Sequence, residues 1–201
     1  FREEILKKIP QQRLDILFNI PLLGGLLKKV MRKKLGLSRV KYALSGASPL
    51  HPSLPIWFSK LGIVIQEAYG MTENMALATI NRKPTARFGT VGQSYKGVEL
   101  FLGVDNEVLV KSPANMLGYY KEPEMSAACF ENGFLKTGDE GRLDQDGYLT
   151  ITGRIKDLFK TSKGKYVAPA PIEKKLLEHS IISQACVVGS GESHALALCM
   201  L

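Results

Sequence analysis

The chain has 201 residues, 45% hydrophobic and 23% charged, a balance typical of a globular protein with room for one large domain or two small ones. No run of roughly 18 apolar residues is present, so no helix is expected to span a bilayer. The net charge of +8 is uneven, with 11 Lys/Arg against 3 Asp/Glu in residues 1–41 and 16 against 16 in residues 42–201. Nucleic-acid binding therefore has no footprint outside the first segment.

Residues 1–41 are predicted to be helical, with breaks near Pro10 and Pro21. Leu22, Leu23, Leu26, Leu27, Val30 and Met31 recur at helical spacing beside Lys28, Lys29, Arg32, Lys33 and Lys34. Two readings fit this basic amphipathic helix: contact with anionic lipid or an acidic partner, or packing of the Leu stripe on a core, which is the commoner case. The opening Phe1-Arg2-Glu3-Glu4 lacks an initiator Met and the order of a secretory signal, and Cys199-Met200-Leu201 falls within an apolar strand pattern, so both ends read as cut. Cys129, Cys186 and Cys199 form no Cys-x-x-Cys pair and share no ligand spacing with His51, His179 or His194. They are expected to be buried or half-buried thiols in a reducing compartment, with neither disulfide nor zinc.

From residue 40 the pattern becomes strand, helix, strand: Val40–Ser45, then His51–Leu61 closed by Gly62, then Ile63-Val64-Ile65. Polar loops are expected after each strand, at Gly46-Ala47-Ser48 and Gln66–Glu73, where open α/β sheets collect ligands. Beyond Arg87, glycines punctuate short alternating runs at Val98–Leu102, Glu107–Lys111 and Tyr148–Thr152, predicting a small sheet or barrel. Asp144-Gln145-Asp146-Gly147 is too short for a calcium loop and reads as a turn between strands. After Gly153-Arg154 the chain turns polar and Lys-rich. Pro169 and Pro171 then precede a predicted helix at Ile172–His179, and Ala185–Gly189 begins a strand. Hydrolase and phosphate-loop patterns fail: there is no Gly-x-Ser-x-Gly, and Gly164-Lys165-Tyr166 lacks the earlier Gly and the following Ser/Thr.

Five motifs stand in a meaningful order. They are Gly46-Ala47-Ser48-Pro49-Leu50, Tyr69-Gly70-Met71-Thr72-Glu73, Glu107–Tyr120 (EVLVKSPANMLGYY), Thr137-Gly138-Asp139, and Gly153-Arg154 with Asp157 and Lys160 continued by Lys163–Glu173 (KGKYVAPAPIE). This set resembles the adenylate-forming (AMP-binding) superfamily, within it the long-chain fatty-acid–CoA ligases and, through Phe159–Glu173, equally the acyl–acyl-carrier-protein synthetases. The resemblance implies an α/β fold: the end of a large α/β subdomain at residues 1–88, a small β-barrel-like subdomain at 89–155, and the start of an α+β lid at 156–201.

The resemblance also implies roles. Gly46, Ala47, Ser48, Glu67, Ala68, Tyr69, Gly70 and Met71 would line the nucleotide site, with the Tyr69 ring as a stacking face for adenine. Asp139 would accept both ribose hydroxyls, and Arg154 would donate to the same sugar. Thr72 would reach the α-phosphate and Glu73 a magnesium ion, the two serving in catalysis. Lys156 would be the hinge, and Lys163, Gly164, Lys165 and Tyr166 the thiol-side loop. Each residue has a plainer reading: a core aromatic for Tyr69, a helix N-cap for Thr72, a solvated Glu73, a turn cap for Asp139 and a surface ion pair for Arg154. Ala68 and Asn74 depart from the family's usual Gly and Thr/Ser, which bears on the acyl or thiol side.

The implied reaction joins a fatty acid to ATP, giving acyl-adenylate, and passes the acyl group to coenzyme A or an acyl carrier protein, in the cytoplasm and peripherally at the inner membrane face through the basic helix. A non-catalytic adenylate-binding module is the reading of a different class. The family's phosphate loop and adenylation lysine fall outside residues 1–201, so these residues alone are expected to form no acyl-adenylate.

Overall fold

The structure is a computed structural model that describes residues 5, 9–48, 50, 52–179 and 181–201. Pro49 of the first motif, His51 at the start of the predicted second helix and the opening Phe1–Glu4 lie outside the described residues. The fold is α/β and divides into two compact units, Phe1–Leu44 with Pro52–Ile65, and Ser45–His51 with Gln66–Leu201. Among the described residues no helix is long and apolar enough to cross a membrane.

The first unit is helical. Helix α1 (Gln11–Asn19) starts after Pro10, whose extended ψ of 145° sets it outside the helix while its carbonyl accepts from Arg13 and Leu14. Helix α2 (Leu23–Lys34) approaches the end of α1 so closely that a Cβ on Gly24 would lie 2.3 Å from the Phe18 carbonyl oxygen. Helix α3 (Ser53–Lys60) ends as predicted at Gly62: with φ of +77°, Gly62 donates to Ser59 and Ile63 donates to Phe58. These two bonds satisfy carbonyls the helix leaves open, and the left-handed position suits glycine.

The core of this unit is Leu14, Phe18, Met31, Trp57 and Leu61, with Leu27 and Phe58 packed on it. Complete burial of a Leu such as Leu14 or Leu61 contributes about 1.5–3 kcal/mol. The stripe on α2 is divided. Met31 and Leu27 face the core, while Leu22, Leu23, Leu26 and Val30 are exposed in this unit. Lys60 meets the Asp15 carboxylate at 2.7 Å and holds it below the usual carboxylate range.

The chain passes through β1 (Ala43–Ser45) and enters the second unit along β2 (Ile65–Tyr69). The stretch from Gln66 to Tyr69, expected as loop, is strand. Its polar side chains belong to the interior: Gln66 and Glu67 are both buried, and Gln66 accepts from the Lys83 amide. Burial pushes the Glu67 carboxyl up, against a backbone hydrogen bond from Leu50. Strands β3 (Thr79–Ile80) and β4 (Gln93–Ser94) continue an antiparallel sheet from β2.

The second sheet holds β5 (Glu99–Leu102), β6 (Glu107–Lys111), β7 (Phe130–Glu131), β8 (Phe134–Leu143) and β9 (Leu149–Arg154), in the order β5-β6-β8-β7 with β9 also on β8. A short helix α4 (Pro123–Ala128) precedes β7. Ala78, Val108, Val110 and Leu149 form the core, with half-buried Tyr69, Val91 and Ile151 against it. A bridge between Gly92 and Leu149 ties the segment before β4 to β9, so the two sheets share this core. The turn at Asp144–Gly147 is built by the Asp144 carboxylate, which accepts from the amides of Asp146 and Tyr148.

Beyond a 3-10 turn at Ile155–Asp157 come β10 (Phe159–Lys160), β11 (Tyr166–Val167), helix α5 (Pro169–Leu176), β12 (Gln184–Val188) and β13 (Leu196–Met200). Pro169 and Pro171 lie inside α5 rather than before it. First-turn amides have no acceptor within a helix, so proline there loses no bond. Cys186 and Cys199 are exposed, contrary to expectation, because β12 and β13 pair only with each other; Cys129 is half-buried.

Candidate functional site

Asp139 owes its direction to the two residues before it. Thr137, buried in β8, donates its hydroxyl to the Val108 carbonyl at 2.7 Å and accepts from the Asp139 amide at 3.1 Å. Gly138 takes a φ of +70° inside the strand, and its amide donates to the Glu107 carboxylate at 2.9 Å. The left-handed residue breaks the regular pairing of β6 with β8, whose register shifts between Glu107 and Leu109. The Asp139 side chain is left 15% exposed and held at both oxygens: Tyr69 Oη donates to Oδ2 at 2.7 Å, and Arg154 Nε to Oδ1 at 2.9 Å. Asp139 and Arg154 are direct partners across β8 and β9. The guanidinium is 62% exposed, so the ion pair has one wet partner and is worth about 1 kcal/mol or less.

Tyr69 ends β2 with its ring against the Ala78–Leu149 core and its hydroxyl on Asp139. Burial pushes its phenol well above the ordinary value and the neighbouring Asp139 charge adds to this, so Tyr69 is a neutral donor at physiological pH. The residues after it are tightly fixed. A Cβ on Gly70 would fall 2.4 Å from the Ala76 carbonyl carbon, so no larger residue fits without moving the main chain. Thr72–Asn74 forms a 3-10 turn in which buried Asn74 accepts from the Met71 amide at 2.9 Å. Glu73 is half-buried, and its Oε1 accepts from Tyr119 Oη at 2.7 Å.

Gly46, Ala47 and Ser48 form an exposed loop after β1, with Ala47 at a φ of +66°. A Cβ on Gly46 would sit 3.2 Å from the Ala68 carbonyl oxygen, and Leu50 bonds Glu67, so this loop borders β2. Lys163, Gly164, Lys165 and Tyr166 form the β10–β11 hairpin, where Gly164 at +79° makes the turn and Thr161 exchanges bonds with Lys165. The hairpin's contacts run to His194 and Glu192 rather than to the Asp139 group: Lys163 Nζ lies 3.0 Å from His194 Nε2. Lys156 is exposed in the 3-10 turn that follows Arg154.

The structure thus joins Tyr69, Asp139 and Arg154 directly, and places Gly46–Ser48 beside Glu67 and Ala68. Sequence reasoning overlooked Thr137 and Glu107, which aim Asp139, and Tyr119, which engages Glu73. Tyr119 stands inside one of the five motifs, but a hydroxyl 46 residues from its acceptor leaves no local pattern. Among the described residues no group of three or more His, Cys, Asp and Glu could hold a metal ion. A single half-buried carboxylate such as Glu73 fits a magnesium ion that arrives with phosphate oxygens and takes one protein carboxylate.

A family model described as AMP-binding enzyme matches residues 2–120. The chain is 38% identical over 167 residues to the long-chain-fatty-acid–CoA ligase FadD15 of Mycobacterium bovis, covering 83% of this chain and 28% of that protein. Among solved structures, the anthranilate CoA ligase AuaEII in complex with anthranoyl-AMP is similar with a TM-score of 0.71 at 29% identity, over 81% of this chain and 34% of that one. The o-succinylbenzoate coenzyme A synthetase of Bacillus subtilis, in complex with ATP and magnesium, is similar with a TM-score of 0.70 at 27% identity, over 84% and 39%. The chain spans under a third of the length of the Mycobacterium bovis ligase and of other curated mycobacterial relatives that it matches. With a model match over more than half its residues, and with the same fold in its structural neighbours, the chain belongs to the AMP-binding enzyme family.

Proposed function

We propose that the whole protein activates a fatty acid with ATP, releasing pyrophosphate and forming an acyl-adenylate, and then transfers the acyl group to the thiol of coenzyme A. The observation that carries this reading is the Tyr69–Asp139–Arg154 group. A mostly buried carboxylate, fixed at both oxygens, keeps spare lone pairs with which to accept two vicinal ribose hydroxyls. Gly46, Ala47 and Ser48 with Glu67 and Ala68 supply an edge for the base, and Gly70 and Met71 the turn beneath the phosphates. Thr72 offers its hydroxyl to the α-phosphate, and Glu73 offers a carboxylate to magnesium. When bound, that ion spreads the charge that builds up at the phosphorus under attack.

A fatty acid as substrate is supported by the similarity to the Mycobacterium bovis fatty-acid ligase, and an acyl-adenylate intermediate by the anthranoyl-AMP bound to AuaEII. The polypeptide divides functionally at residues 88/89 and again at Lys156, about which the 156–201 part turns between the two steps and carries the Lys163–Tyr166 hairpin to the thiol. The protein works in the cytoplasm, and the basic face of α2 brings it to the inner face of the membrane.

The deciding experiment is to assay the whole protein with acids of graded length, measuring pyrophosphate release and then thioester formation with coenzyme A and with acyl carrier protein. Thioester on coenzyme A with a long-chain optimum is the expected result. Thioester on carrier protein alone would move the acceptor assignment to that protein. ATP binding without pyrophosphate release for any acid would leave a binding module and refute the enzyme reading. The 201 residues alone should release no pyrophosphate above background.

A further inference from the structure

Glu73 is held from outside its own turn. The Met116 amide donates to the Glu73 main-chain carbonyl at 2.7 Å, and Tyr119 Oη donates to the Glu73 carboxylate at 2.7 Å, so one loop grips the residue at both main chain and side chain. That loop is braced in turn. Ser126 of α4 accepts from the Tyr119 amide at 2.7 Å and donates to the Glu122 carbonyl at 2.6 Å. Gly118, at a φ of +151°, lets the main chain pass where a Cβ would come 2.8 Å from Ser126 Oγ.

This arrangement does little for stability by itself. Tyr119 is exposed and Glu73 half-buried, and a hydrogen bond this close to solvent largely replaces bonds to water. It does select one Glu73 conformation before any ligand is present. Because Tyr119 uses only Oε1, the carboxylate keeps acceptor capacity for a cation. We infer that Tyr119 is a positioning residue for the Glu73 carboxylate, and that the Met116–Ser126 segment sets the affinity of that carboxylate for the nucleotide-borne divalent cation. The inference rests on the proposed role of Glu73. Fixing the partner of a ligating group is a general way to tune a metal site.

The test uses the whole protein with a non-hydrolysable ATP analogue and manganese, whose free-ion EPR signal disappears on binding. Tyr119→Phe removes one hydroxyl and should weaken manganese binding in the ternary complex about three- to tenfold, within the range for losing one ordinary hydrogen bond, because water can take over part of this one. Nucleotide binding in EDTA should not change. Tyr120→Phe, at a side chain that is 86% exposed and stacked by Lys121, is the control and should behave as the parent. Glu73→Gln separates the two ideas. If it weakens manganese binding and Tyr119→Phe does not, the positioning inference is wrong and the Glu73 assignment stands. If Glu73→Gln has no effect, the metal assignment falls and the inference with it. Equal loss of nucleotide binding with and without the cation in Tyr119→Phe would make Tyr119 a purely structural residue and overturn the inference.

Discussion

Replacing Tyr69 by Phe keeps the ring against the Ala78–Leu149 core and deletes only the hydroxyl that meets Asp139. The lost bond is 2.7 Å long and ends on a carboxylate that is 15% exposed, so its full worth is about 1.5–2 kcal/mol, at the lower end for bonds to charged groups. That sum bounds the effect on ATP affinity from above, because the bond already exists in the free protein. What ATP binding itself must supply in the variant is the re-ordering of one side chain, about 0.5–1.5 kcal/mol, or roughly a three- to tenfold weaker Kd. Arg154 still holds Oδ1 and keeps the loss in this range. The remainder should appear as a lower unfolding midpoint. Calorimetry on the whole protein with a non-hydrolysable ATP analogue gives the Kd, and the same titration with a 2′,3′-dideoxy analogue supplies the decisive comparison. A carboxylate aimed at ribose hydroxyls matters only when hydroxyls are present, so the dideoxy analogue should bind variant and parent alike. Equal weakening for both nucleotides would show that Tyr69 supports the base or the fold and not the sugar contact.

Gly138→Ala forces a side chain into the left-handed region at +70° with open space around it, so strain without a clash should lower stability by about 1–2 kcal/mol, read from denaturant unfolding. Lys156 follows Ile155 in a turn closed by the Leu158 amide on the Ile155 carbonyl, a position where the fixed φ of proline is tolerated. Lys156→Pro in the whole protein should therefore form acyl-adenylate and lose thioester formation in single-turnover assays, and equal slowing of both steps would place the hinge elsewhere. Binding to anionic liposomes through Lys28–Lys34 on α2 should fall steeply as salt rises past physiological strength, where charges are screened over about 8 Å. Salt-independent binding would assign α2 to packing alone.

Legibility followed the range of the forces involved. Helix ends were readable because Pro10 and Gly62 act on their immediate neighbours, and the Asp144–Gly147 turn because one carboxylate builds it from adjacent amides. The ordered motifs located Asp139 and Arg154 without showing that they are cross-strand partners. The strand at Gln66–Tyr69 was missed because polarity was read as exposure, whereas Gln66 and Glu67 are buried and find polar partners far along the chain. The grip of Tyr119 on Glu73 and of Thr137 on Val108 depends on pairings 46 and 29 residues apart, which no local periodicity records. Exposure of Cys186 and Cys199 is a property of a two-stranded ribbon, and apolar composition gave no warning of it.

The length of β8 has a bearing on which insertions and deletions the chain tolerates. One continuous strand carries Leu135, fully buried, and Asp139, aimed into the site, with Gly138 changing direction between them. Because successive strand residues face opposite ways, losing or gaining one residue between Phe134 and Thr137 would turn Asp139 away from Tyr69 and send a polar residue into the core together. Selection for a folded protein and selection for the carboxylate would then remove the same variants. Four residues downstream of Asp139 the strand ends and the exposed Asp144–Gly147 turn begins, where a change of length leaves both the core register and the carboxylate in place. A library of length variants should therefore lose function abruptly when the change moves from that turn into β8.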